Sequence, residues 1–365
     1  MACSLRDALF AIEPPEAEPY SVDDALSRGI WPPLSSGPDI SVRELVCRFA
    51  PLGAALRVVF SGGPNAWKQI DRAKIVVQVR DRIRDPGILR QEETAFCGPF
   101  SILIEFARRK PLHYVKALGE LLDTGKWTTL TGRAIVADEN LRAGPAGGIP
   151  EADWIFAATM RDDPVVREGV INDLSPPLTP LTPGLGEESL SIHMFADAMT
   201  DVSSGSAGGK DLQGLTTWHP MADWTHDVLK LKYHWETCFI SGELDALLVA
   251  QKAIDAGGVA FLMIDKNLIK NGGNDHEEEM YFRKARHEAQ KPVGAMEDEV
   301  HSKDDEWPWP NHWVTYLGGL TPGNPGDDDT VTLRLWSWGA EYQMKGTADS
   351  FGEYLYAVVT GVPWS

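Results

Sequence analysis

The chain has 365 residues, 43% hydrophobic and 24% charged, which is enough apolar material for one large domain or two ordinary ones. Its 34 Lys and Arg stand against 53 Asp and Glu, a formal charge of −19 at pH 7. That sign repels phosphate backbones and anionic lipid headgroups, which makes nucleic acid and membrane surfaces poor partners. No apolar run approaches the roughly 20 residues of a membrane span. The opening "MACSLRDALFAIEPPEAEPY" has no basic region followed by a long apolar one. The expectation is cytoplasmic synthesis without a cleaved signal, with export by a signal-independent system still open.

Residues 1–66 read as a Pro-rich, acidic arm, with Ser41 and Glu44 spaced as a capping box for a short helix. Residues 67–173 read as a helical lobe. Ile70, Ile75, Val76 and Val79 have helical spacing, stopped by Asp85-Pro86-Gly87. A buried helix is predicted from Cys97 through Phe100, Ile102, Leu103, Ile104 and Phe106, with Pro111 breaking it. "LHYVKALGELLDTG" and "EADWIFAATMRDD" follow as two more helices. Residues 174–234, with "SPPLTPLTPGLGEES" and "SSGSAGGKD", read as an irregular linker or insertion.

From 235 to 365 the period changes to that of a sheet. "GELDALLVAQKAIDAGG" is a helix with a Gly stop, and "VAFLMID", "HWVTYLGG", "TVTLRLWSWG" and "GEYLYAVVTG" are strands. A charged insertion, 268–310, interrupts them and reads as solvated, with a short helix at most. The fold class is therefore α+β: a helical lobe and a mostly antiparallel sheet lobe.

The cysteines Cys3, Cys47, Cys97 and Cys238 are scattered, which favours reduced thiols over a disulfide framework. A thiol on an apolar helix is ordinarily core. Cys97 differs in three respects. It opens its helix, where unpaired N–H groups and the macrodipole favour an anion. Gly98-Pro99 follows, giving an open approach and a Pro allowed in the first turn. Gln91 lies six residues before it, where a side-chain amide can join the Cys97 N–H in holding an oxyanion. Among the nine histidines, His312 at the start of a predicted strand is the best placed base.

In these residues the chain resembles the papain-like cysteine peptidases, including bacterial peptidase-like toxins and effectors. The family's Gln, five residues, then Cys at a helix start is matched by "QEETAFC". Its later buried strand, His-bearing strand and "NSWG" strand are matched in order by "AGGVAFLMID", "NHWVTYLGG" and "LWSWG", and its closing strand by "GEYLYAVV". The resemblance covers 91–110 and 243–361. It implies a papain-like fold in which the helical lobe with the Cys helix packs on the sheet lobe. Cys97 would be the nucleophile, His312 the general base and acid, and Gln91 the oxyanion donor.

One departure stands out: the family's Asn, which orients the imidazole, falls on Trp336. Pairing Gly318 with Thr330 across a simple hairpin sets His312 opposite Trp336, and puts Asp327 to Asp329 roughly 20 Å from His312 at about 3.3 Å per residue. The third member is then Ser337 or a backbone carbonyl, a residue of an insertion, or absent, with Trp336 shielding a Cys–His dyad. The dyad is the favoured expectation.

The 13 Trp are numerous for such a chain. Trp307, Trp309 and Trp313 crowd beside His312, and together with Gly98 and Trp338 they give either structural packing or the apolar wall of a substrate cleft. "HEEEMYFRKARHEAQ" carries His276, Glu277 and His287 but not the HExxH frame, and the Gly-rich stretches lack a P-loop. No metal or cofactor is implied. The expected chemistry is thiolate attack on an amide carbonyl of a protein or peptide substrate. The resemblance adds a bacterial secreted toxin or effector and a cognate inhibitor or immunity protein. Glutamine deamidation, transglutaminase-like acyl transfer and a catalytically dead binding scaffold are the alternatives.

Overall fold

The computed structural model describes residues 64–84, 86–89, 96–144, 146, 148–166, 168, 173, 216–238, 243–270, 281–284, 312–322, 330–347, 351 and 354–364. The arm with Ser41 and Glu44, the Pro- and Gly-rich stretches, and the His276/Glu277/His287 cluster lie outside these residues, as do Gln91, Trp307, Trp309 and the Asp327 to Asp329 run. Two compact units are present, one formed by Met1–Lys232 with Pro363–Ser365 and one by Tyr233–Val362.

The first unit is mainly helical. Helix α1 (Arg72–Arg84) ends at a single 3-10 turn, Pro86–Ile88, where the Asp85-Pro86-Gly87 stop is predicted. Helix α2 (Cys97–Arg109) is followed at once by α3 (Pro111–Thr124). Pro111 ends one helix and opens the next as a first-turn proline, where its missing N–H costs nothing. A hairpin of β1 (Lys126–Thr128) and β2 (Ala134–Val136), not anticipated from the sequence, precedes α4 (Glu139–Ala143) and α5 (Glu151–Arg161). Three-residue strands are too short to leave a period-2 pattern.

Helices α2 and α5 are buried from Cys97 to Ala107 and from Ala152 to Arg161, so each is apolar around most of its circumference. The core between the elements is aromatic. Phe106 meets Trp127 edge-on at 5.7 Å, and Phe156 packs on Tyr114 at 4.8 Å and Trp127 at 4.9 Å. Two buried carboxylates of this unit are paired with arginines on α1 and α2. Arg82 grips Asp153 through Nε at 3.0 Å and Nη2 at 2.5 Å, joining α1 to α5. Glu105 accepts from Arg108 at 2.5 Å and Arg109 at 2.6 Å on its own helix.

The range 174–234 is not all linker. Helix α6 (Trp218–Asp227) belongs to the first unit, with Trp218, Met221, Ala222 and Trp224 buried. Its apolar face was masked in the sequence by His219, Pro220, Asp223 and His226, which break the pattern. Strand β3 (Lys232–Thr237) also starts inside that range.

The second unit is a seven-stranded antiparallel sheet with one long helix. After β3 come α7 (Glu243–Asp255), β4 (Val259–Ile264), α8 (Asn267–Lys270), β5 (Tyr281–Lys284), β6 (His312–Pro322), β7 (Thr330–Ser337), β8 (Ala340–Thr347) and β9 (Leu355–Val362). The strand order is β3-β9-β4-β6-β7-β8-β5. Strand β4 is buried at all six positions, as the unbroken apolar run "VAFLMI" predicts for a central strand. Ala246, Leu247 and Ala250 of α7 share a core with Ala260, Leu262, Val314, Tyr316 and Leu335. The chain is thus α+β, as predicted, with β3, β5 and β8 added to the predicted strands. Strand β5 lies inside the charged insertion and pairs with β8 as an edge strand.

Candidate active site

Cys97 is the first residue of α2, after Phe96, whose side chain makes no capping bond. The sulfur residue is 6% exposed. The first turn of a helix presents N–H groups and the positive end of the dipole, both favourable to an anion. Gly98 does not open an approach, contrary to expectation. It is buried, and a Cβ placed on it would lie 2.7 Å from Cβ and Oγ1 of Thr216. Glycine is required there because Thr216 sits directly on the helix start, so Gly98 is a packing residue and not a cleft wall.

Thr216 in turn accepts a hydrogen bond from Nη1 of Arg161 at 2.8 Å. Arg161 is 2% exposed at the end of α5. Desolvation pushes its guanidinium down to about 10, and the attraction of Cys97 works in the opposite direction. It therefore remains a cation at neutral pH. At the second residue of α6, His219 Nδ1 is in hydrogen-bond contact with Asp173 Oδ1, while the His219 backbone N–H donates to Oδ2 at 3.3 Å. Burial pushes the Asp173 carboxyl upward, opposed by Thr217 and His219 beside it.

None of Arg161, Thr216, His219 and Asp173 was legible as site-forming. Arg161 reads as an ordinary basic residue complementing a helix C-terminus. Asp173 and His219 are 46 residues apart across the Pro- and Gly-rich stretch.

In the second unit, His312 opens β6 opposite Ile264 of β4, and it is 4% exposed. Its Nε2 lies 2.6 Å from Ser337 Oγ. Trp338 stacks on the imidazole with centroids 4.4 Å apart and planes 14° from parallel. The indole is delivered by an unusual backbone. Trp338 has φ +44° and Gly339 φ +74°, forming the two-residue turn between the paired Ser337 and Ala340. Primed turns fit the twist of a hairpin but suit Asn or Gly at the first central position; a bulky residue there is strained. Such strain gathers at functional sites.

The expected register is corrected. Gly318 pairs with Arg334, not Thr330, and Trp336 pairs with Thr315, not His312. The pairing shifts between Tyr316 and Gly318 and again between Gly318 and Thr321, where Gly318 and Gly319 have φ +87° and +80°. A bulge built on such glycines adds residues to one strand. The offset from His312 to Thr315 is odd, so Trp336 belongs to the sheet face opposite His312 and does not shield it. Ser337 falls on the His312 face as a diagonal neighbour. Trp313, adjacent to His312, alternates to the other face and is 1% exposed, so it is core and not an accessible wall.

The structure therefore gathers Cys97 with Gly98, Arg161 and Thr216 in one unit, and His312 with Ser337 and Trp338 in the other. The first group has a sulfur at a positively polarised helix start, and the second an imidazole held by a hydroxyl under an aromatic cover. Compared with protein-family models, curated proteins and solved structures, the chain matches none.

Proposed function

We propose that the chain is a papain-like cysteine hydrolase, a peptidase or amidase, with Cys97 as nucleophile, His312 as base and acid, and Ser337 as the orienting third residue. The observation that carries this is the Ser337 Oγ to His312 Nε2 contact at 2.6 Å under the Trp338 ring. An imidazole with one nitrogen fixed and one face covered is how a catalytic base is mounted. It also argues against the lost-catalysis alternative, which rested on Trp336 standing where an orienting residue should be.

In the proposed cycle the Cys97 thiol proton goes to His312 Nδ1, and the sulfur attacks the amide carbonyl. The tetrahedral oxyanion is held by the Cys97 backbone N–H, with the Gln91 side chain as second donor by resemblance. The protonated imidazole gives its proton to the departing amine, leaving a thioester. Water then attacks with its proton taken by His312, which releases the acid and restores the thiol. An amine in place of that water gives acyl transfer, and a glutamine side chain as substrate gives deamidation. A secreted effector held by an immunity protein is the setting the resemblance supplies.

The test is turnover of fluorogenic peptides, cross-linked muropeptides and a glutaminyl peptide by wild type and three variants. Cys97→Ala and His312→Ala are expected to abolish product, and His219→Ala to retain it. Product formation by Cys97→Ala, or its loss in His219→Ala with retention in His312→Ala, would overturn the assignment.

A further inference from the structure

A thiol–imidazole pair ordinarily holds its thiolate by the charge of the imidazolium, so that the two groups titrate together. The first unit contains a second cation in the neighbourhood of the sulfur. Arg161 is brought there by the last turn of α5, buried to 2% exposure, and anchored by its 2.8 Å bond to Thr216 Oγ1. Thr216 is itself pressed against the first turn of α2, with no room for even a methyl group at Gly98. The Thr216 side chain, packed on Gly98 and bonded to Arg161, thus ties the guanidinium to the start of α2.

We propose that Arg161 is a positioning residue for the nucleophile: a permanent counter-ion, locked by Thr216 against the Gly98 face of α2, that keeps Cys97 as thiolate whatever the protonation state of His312. The inference rests on Cys97 being the nucleophile, as in the reading above.

Other charges on the surrounding elements are engaged elsewhere. Asp153 of α5 and Arg82 of α1 bond each other, Glu105 of α2 holds Arg108 and Arg109, Asp163 after α5 accepts from Arg133, and Asp173 holds His219 of α6. Arg80 of α1 lies by Asp81, and Asp223 of α6 feels Asp227 and Arg133. On α3, burial first and then the charges of Lys116, Lys110 just before the helix, and Lys230 hold His113 below its usual value. The attraction between Cys97 and Arg161 opposes the desolvation of the guanidinium, and by reciprocity it favours the anionic sulfur.

The consequence is a division of labour. Arg161 would take over ionisation of the thiol from His312, which would act as acid toward the leaving amine and as base toward the attacking water. The alkaline limb of activity would then report His312 alone.

The experiment is a pH titration of thiolate ultraviolet absorbance in the full chain, with Cys97→Ser as blank. Wild type and His312→Ala should share a midpoint well below the ordinary thiol value of about 8.5. Arg161→Met should raise it by about 1 to 3 pH units, and Arg161→Lys should restore part of the shift. Thr216→Val, which keeps the shape packed on Gly98 and removes the anchoring oxygen, should raise it less, and it stands in if Arg161→Met does not fold. A midpoint that climbs in His312→Ala and stays put in the Arg161 and Thr216 variants overturns the proposal. Amide hydrolysis with a midpoint indifferent to Arg161 removes this inference and keeps the hydrolase; an Arg161-dependent midpoint without hydrolysis removes the hydrolase and leaves only the ion pair of Arg161 with Cys97.

Discussion

Ser337 can fix the plane of the His312 ring, but it sets the tautomer less firmly than a side-chain amide oxygen does, because a hydroxyl both donates and accepts. A base for Cys97 needs Nε2–H donating to Ser337 Oγ and Nδ1 open to the sulfur proton. The hydroxyl supports that state and its opposite. Ser337→Ala is therefore expected to lower kcat/KM by roughly 10- to 100-fold, about 1.4 to 2.7 kcal/mol of transition-state stabilisation, with KM little changed. Steady-state kinetics would check this, and Ser337→Thr should recover most of the rate. At this scale the sequence was informative about residue type and less so about neighbours. The placement of Cys97 at a helix start and of His312 at a strand start was readable. Ser337 stood as one of three options, since a register error of an odd number of residues exchanges the two faces of a strand.

At the scale of elements, α2 carries both the proposed nucleophile and a buried carboxylate. Desolvation works to raise the Glu105 carboxyl, but Arg108 and Arg109 together outweigh it and hold it below the ordinary range. A carboxyl depressed on folding contributes stability that is present above its unfolded value of about 4.3 and is lost as pH falls through the folded value. Glu105→Gln should therefore cost roughly 3 kcal/mol near neutral pH by leaving two guanidinium groups without their anion. Thermal unfolding of the two proteins should converge on the acid side, and a gap that stays constant with falling pH would contradict the pairing. The helices of this half were legible because their apolar spacing and their Pro and Gly stops agree. The hairpin β6–β7 was legible as two strands but not in its pairing. Nothing in "YLGGLTP" distinguishes a turn at Gly318-Gly319 from a bulge, and only the longer ladder to Pro322 and Val331 selects the bulge. Helix α6 was hidden by polar residues at its start, of which His219 is now tied to Asp173.

For the molecule as a whole, the charge of −19 and the α+β composition were readable at once, and the former argues for partners other than nucleic acid. No helix among the described residues is long and apolar enough to cross a membrane. The division into two units was visible as the change from helical to strand period, expected at 235 and found between Lys232 and Tyr233. What composition and spacing could not reveal is which side chains from distant parts of one unit share a site, as Arg161 and Thr216 do across 55 residues of chain.

The central claim of the proposed function is that Cys97 and His312 act on the same scissile amide. Dibromoacetone tests it most directly, since its two short arms bridge a thiolate and an imidazole only when they share one site. Peptide mapping by mass spectrometry should find a Cys97–His312 cross-link that disappears in His312→Ala. A bridge from Cys97 to His219, or alkylation of Cys97 without any bridge to histidine, would contradict the account.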